Sequence, residues 1–438
     1  MRLKNIALAC SCLIGFIAKA QRPLSVEEAI ATSLANNYDI QLSRNDSALA
    51  ALDYAFADYA FYPRLNANGG VNFNNNNQKQ VLADGTKRES KGVKSNVATA
   101  SLNLNWTLFD GLKMFITRRR LGQMVELGEL QIKNQVIASV ADLMRTYYDI
   151  SRQQQQLKAV EEQMQLSSER LKLAQYKFEV GTGTKSDVLQ AQIDYNAQKS
   201  QQLTQQTNIL KLKEQLNNLL AIPLNNDFTV LDTIPIHTGL TLDSIQGSLT
   251  ATNPQLLLAQ KSLDIAGLAL QERRAERLPT VSFNSAYNFN RTDNKSVVNP
   301  FQPLFSQNKG LNYGFTATIP IFNGYLTRRN IRAAELDIQY QQLAYKRNLA
   351  QINTSVATAY RDYTLYQQTL LLEEDNIKLV RENLFIAQER YRLGVTTFLE
   401  MRTAEQSLAD ATNRLIQARY NTKVAEIELL RLRGDLVK

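Results

Sequence analysis

Apolar residues recur with a seven-residue period over two long stretches of the chain. No proline interrupts the first stretch, from Leu112 to Val180. The recurring positions are Val136, Leu143, Ile150, Leu157, Met164, Leu171 and Phe178 in the first stretch, and Leu349, Val356, Tyr363, Leu370, Ile377, Leu384 and Tyr391 in the second. A heptad sustained over this length is typical of left-handed coiled-coil packing. At about 1.5 Å per residue, the first stretch predicts a helix of roughly 100 Å.

A second apolar series starts two residues after the first. Its members are Ala159, Leu166, Leu173 and Val180, then Leu372, Leu379, Ile386 and Leu393. Because two residues are about 200° apart on a helix, the two series lie on nearly opposite sides. We therefore expect each long helix to have a neighbour on both flanks, as in a wall that curves and closes into a helical barrel. Two helices of about half this length are predicted at Val26 to Phe61 and at Thr184 to Leu220.

Four other segments alternate between apolar and polar residues. The apolar positions are Ala98, Ala100, Leu102, Leu104, Trp106 and Leu108 in one segment, and Leu311, Tyr313, Phe315, Ala317 and Ile319 in another. Leu65 to Phe73 and Val281 to Phe289 keep the period less strictly. Alternation predicts strands with one dry and one wet face. The dry face fits either a soluble sandwich core or a lipid contact, and the aromatic content of segments of roughly ten residues favours lipid.

Four strands are too few to cross a membrane alone. The smallest membrane-spanning barrels have about eight strands, and open strand edges are not tolerated in hydrocarbon. No stretch after the first segment of the chain approaches the roughly 18 consecutive apolar residues that a membrane helix needs. If the protein enters a membrane, it must therefore do so as strands that it pools with copies of itself.

The chain contains two copies of one unit. Leu24, Val26, Asn37 and Pro63 correspond in order to Leu240, Leu242, Asn253 and Pro279, WTLFDG at 106–111 to IPIFNG at 319–324, and Gly181 to Gly394. Each half reads helix, strand, loop, strand, very long helix, glycine turn, helix. We predict a first structural repeat at 21–221, a proline-containing linker at 222–240 and a second repeat at 241–438.

The first twenty residues have the composition of an export signal. Arg2 and Lys4 are basic, an apolar core of twelve residues follows, and Ala18-Lys19-Ala20 has the small-x-small form of a cleavage site. The sequence therefore predicts a signal peptide at 1–20.

Residues that carry chemistry are few. Both cysteines, Cys10 and Cys12, lie inside the predicted signal, so we expect neither disulfides nor an acyl anchor. His237, the only histidine, lies in the linker without the companions that a metal site or a nucleophile triad needs. Without the three basic residues of the predicted signal, the formal net charge falls from +9 to +6 and is spread along the chain. Export also argues against a nucleic-acid partner. The sequence predicts no enzyme, no cofactor and no metal site.

The stretch KFEVGTGTKSDVLQAQ at 177–192 contains glycines ahead of a helical pattern. A nucleotide-binding P-loop requires Gly-Lys-Ser/Thr at its end, but Thr184 precedes Lys185. Gly181 and Gly394 end the two long helices, where a left-handed residue is needed to turn the chain. The stretch is therefore predicted to be a turn between helices.

The sequence resembles the TolC-like outer-membrane efflux family over essentially the whole predicted mature chain. The residues that carry the resemblance are LSVEEAIATSLANNYDI at 24–40, YPRL at 62–65, LFDG and IFNG after the strands, and the pair AQYKFEVGTGTKSDVLQAQ and AQERYRLGVTTFLEMRTAEQ. The resemblance implies a homotrimer with a 12-stranded outer-membrane β-barrel, four strands per chain, and a periplasmic α-barrel of coiled-coil helices. It implies a passive exit duct of a tripartite efflux or type I secretion system in a Gram-negative bacterium, opened by an adaptor protein and an inner-membrane pump.

The resemblance also implies roles for residues near the glycine turns. Gly181, Thr182, Gly394 and Val395 match the tips that contact the adaptor. Asp187 and Tyr391 match a contact that holds the tunnel end nearly shut, and Ser186 lies beside it. Glu400 matches one member of an acidic ring at the constriction. Thr396 and Thr403 stand where the family has an arginine partner and a second acidic residue.

Other interpretations of these features remain open. Asp187 and Glu400 fit ordinary first-turn carboxylates that the helix dipole favours, and Tyr391 fits a core position because it ends a heptad series. The basic residues Arg118 to Arg120, Arg328 and Arg329 fit either contacts with headgroups or periplasmic polymer, or a solvated face. For the whole chain, the alternative to a duct is a periplasmic coiled-coil scaffold with a soluble β cap.

Overall fold

The computed structural model describes residues 23–223, 228–299 and 301–437. These residues form eight α-helices: α1 (Val26–Asn36), α2 (Tyr38–Ala55), α3 (Lys113–Glu179), α4 (Lys185–Leu220), α5 (Leu242–Thr252), α6 (Pro254–Ala275), α7 (Leu326–Arg392) and α8 (Phe398–Arg433). They also form six strands: β1 (Pro23–Leu24), β2 (Arg64–Val81), β3 (Lys87–Asp110), β4 (Thr229–Val230), β5 (Thr280–Asn294) and β6 (Phe305–Thr318). The predicted signal peptide lies outside the described residues.

The two long helices are confirmed, and the heptad packing is confirmed for most of α7 and for Leu143 and Ile150 in α3, whereas Phe178 is 42% exposed. Helices α3 and α7 each contain 67 residues. In α7 six of the seven members of the first apolar series are each at most 9% exposed: Val356, Tyr363, Leu370, Ile377, Leu384 and Tyr391. Leu349 is half-buried. The second series is not covered within the chain, since Leu372, Leu379, Ile386 and Leu393 are 48–74% exposed. Each side of the helix is therefore apolar, but a single chain buries only one of them.

The first of the shorter helices is broken, contrary to the prediction of one helix from Val26 to Phe61. Asn37 separates α1 from α2, and α2 ends at Ala55 before a short 3-10 helix at Ala57–Phe61. The Asn37 side-chain carbonyl accepts hydrogen bonds from the backbone N–H groups of Asp39 and Ile40 at 3.0 and 3.2 Å. Its amide nitrogen donates to the backbone carbonyl of Leu219 at 2.9 Å. Asn37 therefore caps a new helix instead of continuing the old one.

The structure divides into two compact units by its contacts. Among the described residues, one unit contains 23–41, 135–223, 228–253 and 352–437, and the other contains 42–134, 254–299 and 301–351. A core of the first unit includes Leu143, Tyr147, Ile150, Leu216 and Ile427, all buried. The Tyr147 hydroxyl donates to the Leu24 carbonyl at 2.7 Å and accepts from the Leu231 N–H at 3.2 Å, beside the parallel pair formed by β1 and β4.

The second unit contains an antiparallel four-stranded sheet with the order β2-β3-β5-β6. The strands have 18, 24, 15 and 14 residues, so the expectation of segments of roughly ten residues was too short. The β2–β3 hairpin extends beyond the part that pairs with β5. Ile319, expected to end the last strand, lies just outside β6.

Among the described residues, no helix has an 18-residue stretch that is apolar enough to cross a membrane.

Candidate functional site: the hairpin tips and the strand surface

Both long helices end in the same hydrogen-bonded turn. The N–H of Gly181 donates to the Phe178 carbonyl at 3.1 Å, and that of Thr182 donates to the Lys177 carbonyl at 2.9 Å. Helix α7 repeats the pattern with Gly394 and Val395. This pair of bonds is the Schellman motif, which needs a left-handed residue at its turn. The φ angles of Gly181 and Gly394 are 80° and 78°, so the predicted glycine turns are confirmed.

Threonines start the helices that return from the turns. Thr184 caps α4: its hydroxyl accepts from the Asp187 N–H at 3.2 Å, and its own N–H donates to the Asp187 carboxylate at 3.4 Å. This reciprocal pair is a capping box. Thr397 caps α8 by accepting from the Glu400 N–H at 3.2 Å. Both predicted carboxylates therefore lie in the first turn of a helix, where the helix dipole favours negative charge.

Helices α3 and α4 form one helical hairpin, and α7 and α8 form the other. Tyr391 lies at the centre of the contacts at their tips. The Lys177 ammonium donates to the Tyr391 backbone carbonyl at 3.0 Å and lies 3.9 Å from the centre of its ring. The ring of Phe398 meets it edge to face at 6.3 Å. Burial raises the pKa of Tyr391 above its ordinary value, and the negative charge of Asp187 raises it further by a smaller amount. The phenol is therefore neutral at physiological pH and held by a cation and an aromatic ring.

An open cleft of about 700 Å³ lies between the tips. Asp187, Tyr391, Thr182 and Gly394 line it, so the structure brings these four predicted residues together. Among the described residues no hydrogen bond joins Asp187 to the Tyr391 hydroxyl; the two groups interact through charge. Ser186 is exposed at the start of α4, outside the residues that line this cleft, and Val395 is exposed at the second tip.

Glu400 is held by its own hairpin. The Arg390 guanidinium donates to its carboxylate at 2.8 Å, and the Thr396 hydroxyl also donates to it. Glu400 is not among the residues that line the cleft. Position 396 supplies a hydroxyl where the resemblance implies an arginine, and the positive charge comes from Arg390, near the end of α7 and before the Gly394 turn.

A buried network of charges, which the sequence analysis missed, joins α3, α4 and α8. The side chains of Arg170 and Glu405 are 3% and 1% exposed. Arg170 donates to Glu405 at 2.6 Å and to Asp194 at 2.7 Å. Arg402 donates to both carboxylate oxygens of Asp194 at 2.9 and 3.1 Å. We call Arg170, Asp194, Arg402 and Glu405 the tip network; the Arg170 guanidinium also lies 5.3 Å from the centre of the Phe398 ring.

The tip network is incompletely satisfied. Among the described residues, the Arg170 Nε and the Glu405 Oε1 are buried without a hydrogen-bond partner. Burial raises the pKa of Glu405, the Arg170 guanidinium opposes that rise, and the charge of Asp194 adds to it. Buried ion pairs with unmet hydrogen bonds add little net stability, but removing one member leaves a buried charge.

One sequence signal could have revealed this network. Gln163, Arg170 and Lys177 are seven residues apart and directly precede Met164, Leu171 and Phe178 of the apolar series. A polar series beside an apolar seam lies at the edge of a helix contact, where charged side chains meet partners from neighbouring helices.

The sheet of the second unit exposes a large apolar surface. Phe73, Tyr313 and Phe315 are 72–77% exposed, and Leu65, Val71 and Leu311 are 60–61% exposed. The pairing of the strands places these side chains on one face, with Phe283 opposite Phe315 and their rings 5.2 Å apart. An apolar surface of this size marks a contact with lipid or protein.

No group of three or more His, Cys, Asp or Glu side chains among the described residues is placed to hold a metal ion.

An exposed apolar strand surface combined with coiled-coil hairpins defines the class of outer-membrane channel proteins. The model of the outer membrane efflux protein family matches residues 29–221 and 247–435. The chain belongs to this family, as the resemblance in its sequence predicts.

The relatives and the fold agree with this assignment. The chain is 24% identical over 420 residues to the toluene efflux pump outer membrane protein TtgF of Pseudomonas putida, covering 93% of this chain and 83% of that protein. It is 22% identical over 413 residues to the alkaline protease secretion protein AprF of Pseudomonas aeruginosa, covering 90% and 83%. The solved structure of the outer-membrane channel OprN has a TM-score of 0.79 at 19% identity, covering 94% of this chain and 90% of that one.

The chain is therefore an outer-membrane protein of a Gram-negative bacterium. It serves as an exit duct for efflux or secretion.

Proposed function

We propose that three copies of the chain form one duct, with twelve strands that close a barrel in the outer membrane and helices that enclose a periplasmic tunnel. The observation that carries this proposal is the open sheet: in the described part of the chain, β2 and β6 each have one unpaired edge. Open edges are not tolerated in hydrocarbon, and copies that pair edge to edge would remove them.

The exposed apolar series on α7 supports the same assembly. Leu372, Leu379, Ile386 and Leu393 repeat every seven residues and are open in one chain. A coiled-coil seam of this kind is buried only when another helix packs on it. A second copy of the chain offers that helix, so one assembly covers both the strand edges and the helix seam.

The cleft and the tip network form the gate of this duct in our proposal. Asp187 and Tyr391, with Ser186 beside them, form one contact of the constriction, and Glu400 belongs to its acidic ring. Lys177 and Arg170 link the two hairpins of a chain through Tyr391, Phe398 and the carboxylates of the network. Opening would separate the hairpins and so disrupt these contacts.

The tips formed by Gly181, Thr182, Gly394 and Val395 would contact a periplasmic adaptor protein. The exposed side chain of Val395 offers an apolar contact of this kind. In this proposal an inner-membrane pump supplies the energy for transport. The duct itself is passive: it catalyses no reaction and uses no cofactor.

We further propose that 21–221 and 241–438 are two repeats joined by the segment 222–240, and that 1–20 directs export. The equal lengths of α3 and α7, and of α4 and α8 at 36 residues each, support the duplication.

Cross-linking between edge strands tests the trimer. The predicted mature chain has no cysteine, so Asn68→Cys on β2 and Asn308→Cys on β6 would be the only thiols. A bismaleimide should then give a ladder that ends at three chains. Asn68→Cys alone is the matched control and should give at most two linked chains. Two results would contradict the proposal. One is that both thiols react fully but only uncross-linked single chains are found, and the other is that the protein is extracted from cells without detergent.

A further inference from the structure

The register of the sheet divides its side chains into two faces. Directly opposite residues share a face, and successive residues along a strand alternate. The polar face is made up of Asn66, Asn68, Gly70, Asn72 and Asn74 on β2; Asn105, Asn103, Ser101, Thr99, Val97 and Ser95 on β3; Asn284, Ala286, Asn288, Asn290, Thr292 and Asn294 on β5; and Thr316, Gly314, Asn312, Gly310, Asn308 and Ser306 on β6. We call this surface the amide face.

The amide face carries no ionisable side chain. In the described sheet, charges appear on this side only beyond that set. Arg64 opposite Asn105 and Asp110 opposite Thr280 lie at one end, and Arg88 opposite Gln80 lies in the outer part of the β2–β3 hairpin. The same strands do carry charges on their other face, at Lys94, Arg291 and Lys309. The absence of charge on the amide face therefore belongs to that face and not to the strands in general.

The amide face has many groups that can form hydrogen bonds. Each Asn side chain has two donor hydrogens and a carbonyl acceptor with two lone pairs. Few of these are used between side chains: Asn103 donates to Ser101 at 3.0 Å, Asn284 donates to Thr316 at 3.2 Å, and Asn74 donates to Ser95 at 3.3 Å. Donors and acceptors are equally available, so the surface favours neither sign of charge.

Two glycines on β6 leave recesses between these amides. A Cβ atom added at Gly310 or Gly314 would meet no atom within 4 Å. Gly310 pairs with Asn288 and Gly314 with Asn284. An amide on β5 thus lies beside each recess, with Asn312 between the two recesses on β6.

We infer that the amide face lines the outer-membrane passage as a neutral, hydrogen-bonding surface, so that this part of the duct does not sort cargo by charge and admits uncharged polar cargo as readily as ions. This inference rests on the proposed function, in which the apolar face meets lipid and the amide face meets the lumen. Selective pores use rings of like charge to focus a field on the ion. The amide face has no such ring, so any charge selectivity must arise elsewhere. Its sources are the charged residues beyond the ends of this face, Arg64, Arg88 and Asp110, and carboxylates such as Asp187 and Glu400 of the tips.

Labelling of introduced cysteines in planar bilayers tests two things: that the amide face meets the lumen, and that this surface is neutral. Asn103→Cys and Asn288→Cys place a thiol on the amide face, and Leu102→Cys and Tyr287→Cys are neighbouring controls on the apolar face. Aqueous methanethiosulfonates with a sulfonate or a trimethylammonium group should react at the first pair only. The two reagents should then shift the reversal potential in a salt gradient in opposite directions, because they add opposite charges to a neutral passage.

The decisive measurement uses a background in which the other charges are neutral. At the tips these changes are Asp187→Asn and Glu400→Gln, and beyond the amide face they are Arg64→Gln, Arg88→Gln and Asp110→Asn. There the ratio of cation to anion permeability should lie within about twofold of one before labelling. If Asn103→Cys reacts with the reagents but the permeability ratio stays far from one, the passage is not neutral. That result would overturn this inference but not the proposed duct. Reaction at Leu102→Cys and not at Asn103→Cys would place the amide face against lipid and overturn both.

Discussion

The sheet exposes apolar side chains, whereas the hairpin tips bury charged ones. In the sheet Phe315 is 72% exposed, and the polar groups of the amide face are uncharged. At the tips the charged side chains of Arg170 and Glu405 are almost fully buried. In water both arrangements are unfavourable, since apolar groups prefer burial and charges prefer solvent.

The difference shows that the two regions meet different surroundings. The exposed aromatic face is stable where lipid replaces water. The buried charges are tolerated only because they are paired across helices, and pairing fixes how the helices meet more than it adds free energy. The sheet is therefore expected to assemble poorly when its apolar face is made polar. The tips are expected to lose stability when one buried charge loses its partner.

Breaking the tip network should have the largest effect. Arg170→Met leaves the Glu405 carboxylate buried without its cation, which costs about 3–5 kcal/mol for a buried pair. Thermal unfolding followed by circular dichroism should show a lower midpoint, and single channels should conduct more because the hairpins separate.

Two matched variants sharpen this prediction. Arg402→Met removes the exposed cation of the network, whose side chain is 44% exposed, and should cost about 1 kcal/mol or less. Arg170→Met with Glu405→Met removes both buried charges and should recover much of the lost stability. If Arg170→Met unfolds at the same temperature as the parent, the network does not hold the hairpins.

A charge on the apolar face tests the sheet. Phe315→Arg should cost about 2–4 kcal/mol if the residue lies near the middle of the bilayer. The amount of assembled protein in the outer-membrane fraction should fall. Asn312→Arg, on the same strand but on the amide face, should assemble normally. Equal losses for the two variants would show that the faces do not meet different surroundings.

The glycine turns should respond by a smaller amount. Gly394→Ala puts a side chain on a residue with a φ of 78°, and a left-handed conformation costs an ordinary residue about 1–2 kcal/mol. Thermal unfolding should shift downward. Gly247→Ala is the control, because that glycine is inside α5 with open space around it and alanine there should stabilise by about 0.5–1 kcal/mol. A stabilising Gly394→Ala would contradict the turn geometry.

The smallest expected effect is a pH dependence from Glu405. Its pKa in the folded protein is above the ordinary value of 4.5, mainly because of burial. Folding therefore favours the protonated carboxyl, and its contribution is present below pH 4.5 and lost as pH rises through the raised pKa.

Glu405→Gln should remove this contribution while Arg170 keeps Asp194 as a partner. The difference in unfolding midpoint between the parent and the variant should therefore change between pH 4 and pH 7. The parent should lose stability relative to Glu405→Gln as pH rises; a change in the other direction would contradict the raised pKa.

The sequence predicted the features that repeat. The heptads predicted α3 and α7, because a seven-residue series over many turns is compatible with few other structures. The glycines predicted the turns, because few other residues adopt the left-handed conformation at low cost. Alternation gave the four strands of the sheet, but not how far the β2–β3 hairpin extends, since its outer part is polar on both faces.

Single polar residues in contacts between helices were not predictable. Asn37 breaks a helix because its side chain reaches Leu219, which is distant in sequence. Arg170 and Glu405 meet for the same reason, since their pairing depends on how the hairpins pack. Asp187 and Glu400 were identified as candidates by resemblance, and the structure adds that each is already engaged at a helix start. Their roles in a constriction remain a prediction.

Single-channel recording of the detergent-extracted protein in planar bilayers tests the central claim that the tips, and not the sheet, limit flow through the duct. The parent should show small, stable conductance steps. Tyr391→Ala, which removes the ring held by Lys177 and Phe398, should increase the steps severalfold, whereas Asn288→Ala on the amide face should leave them nearly unchanged. Steps that grow with Asn288→Ala and not with Tyr391→Ala would place the narrowest point in the sheet and contradict the account.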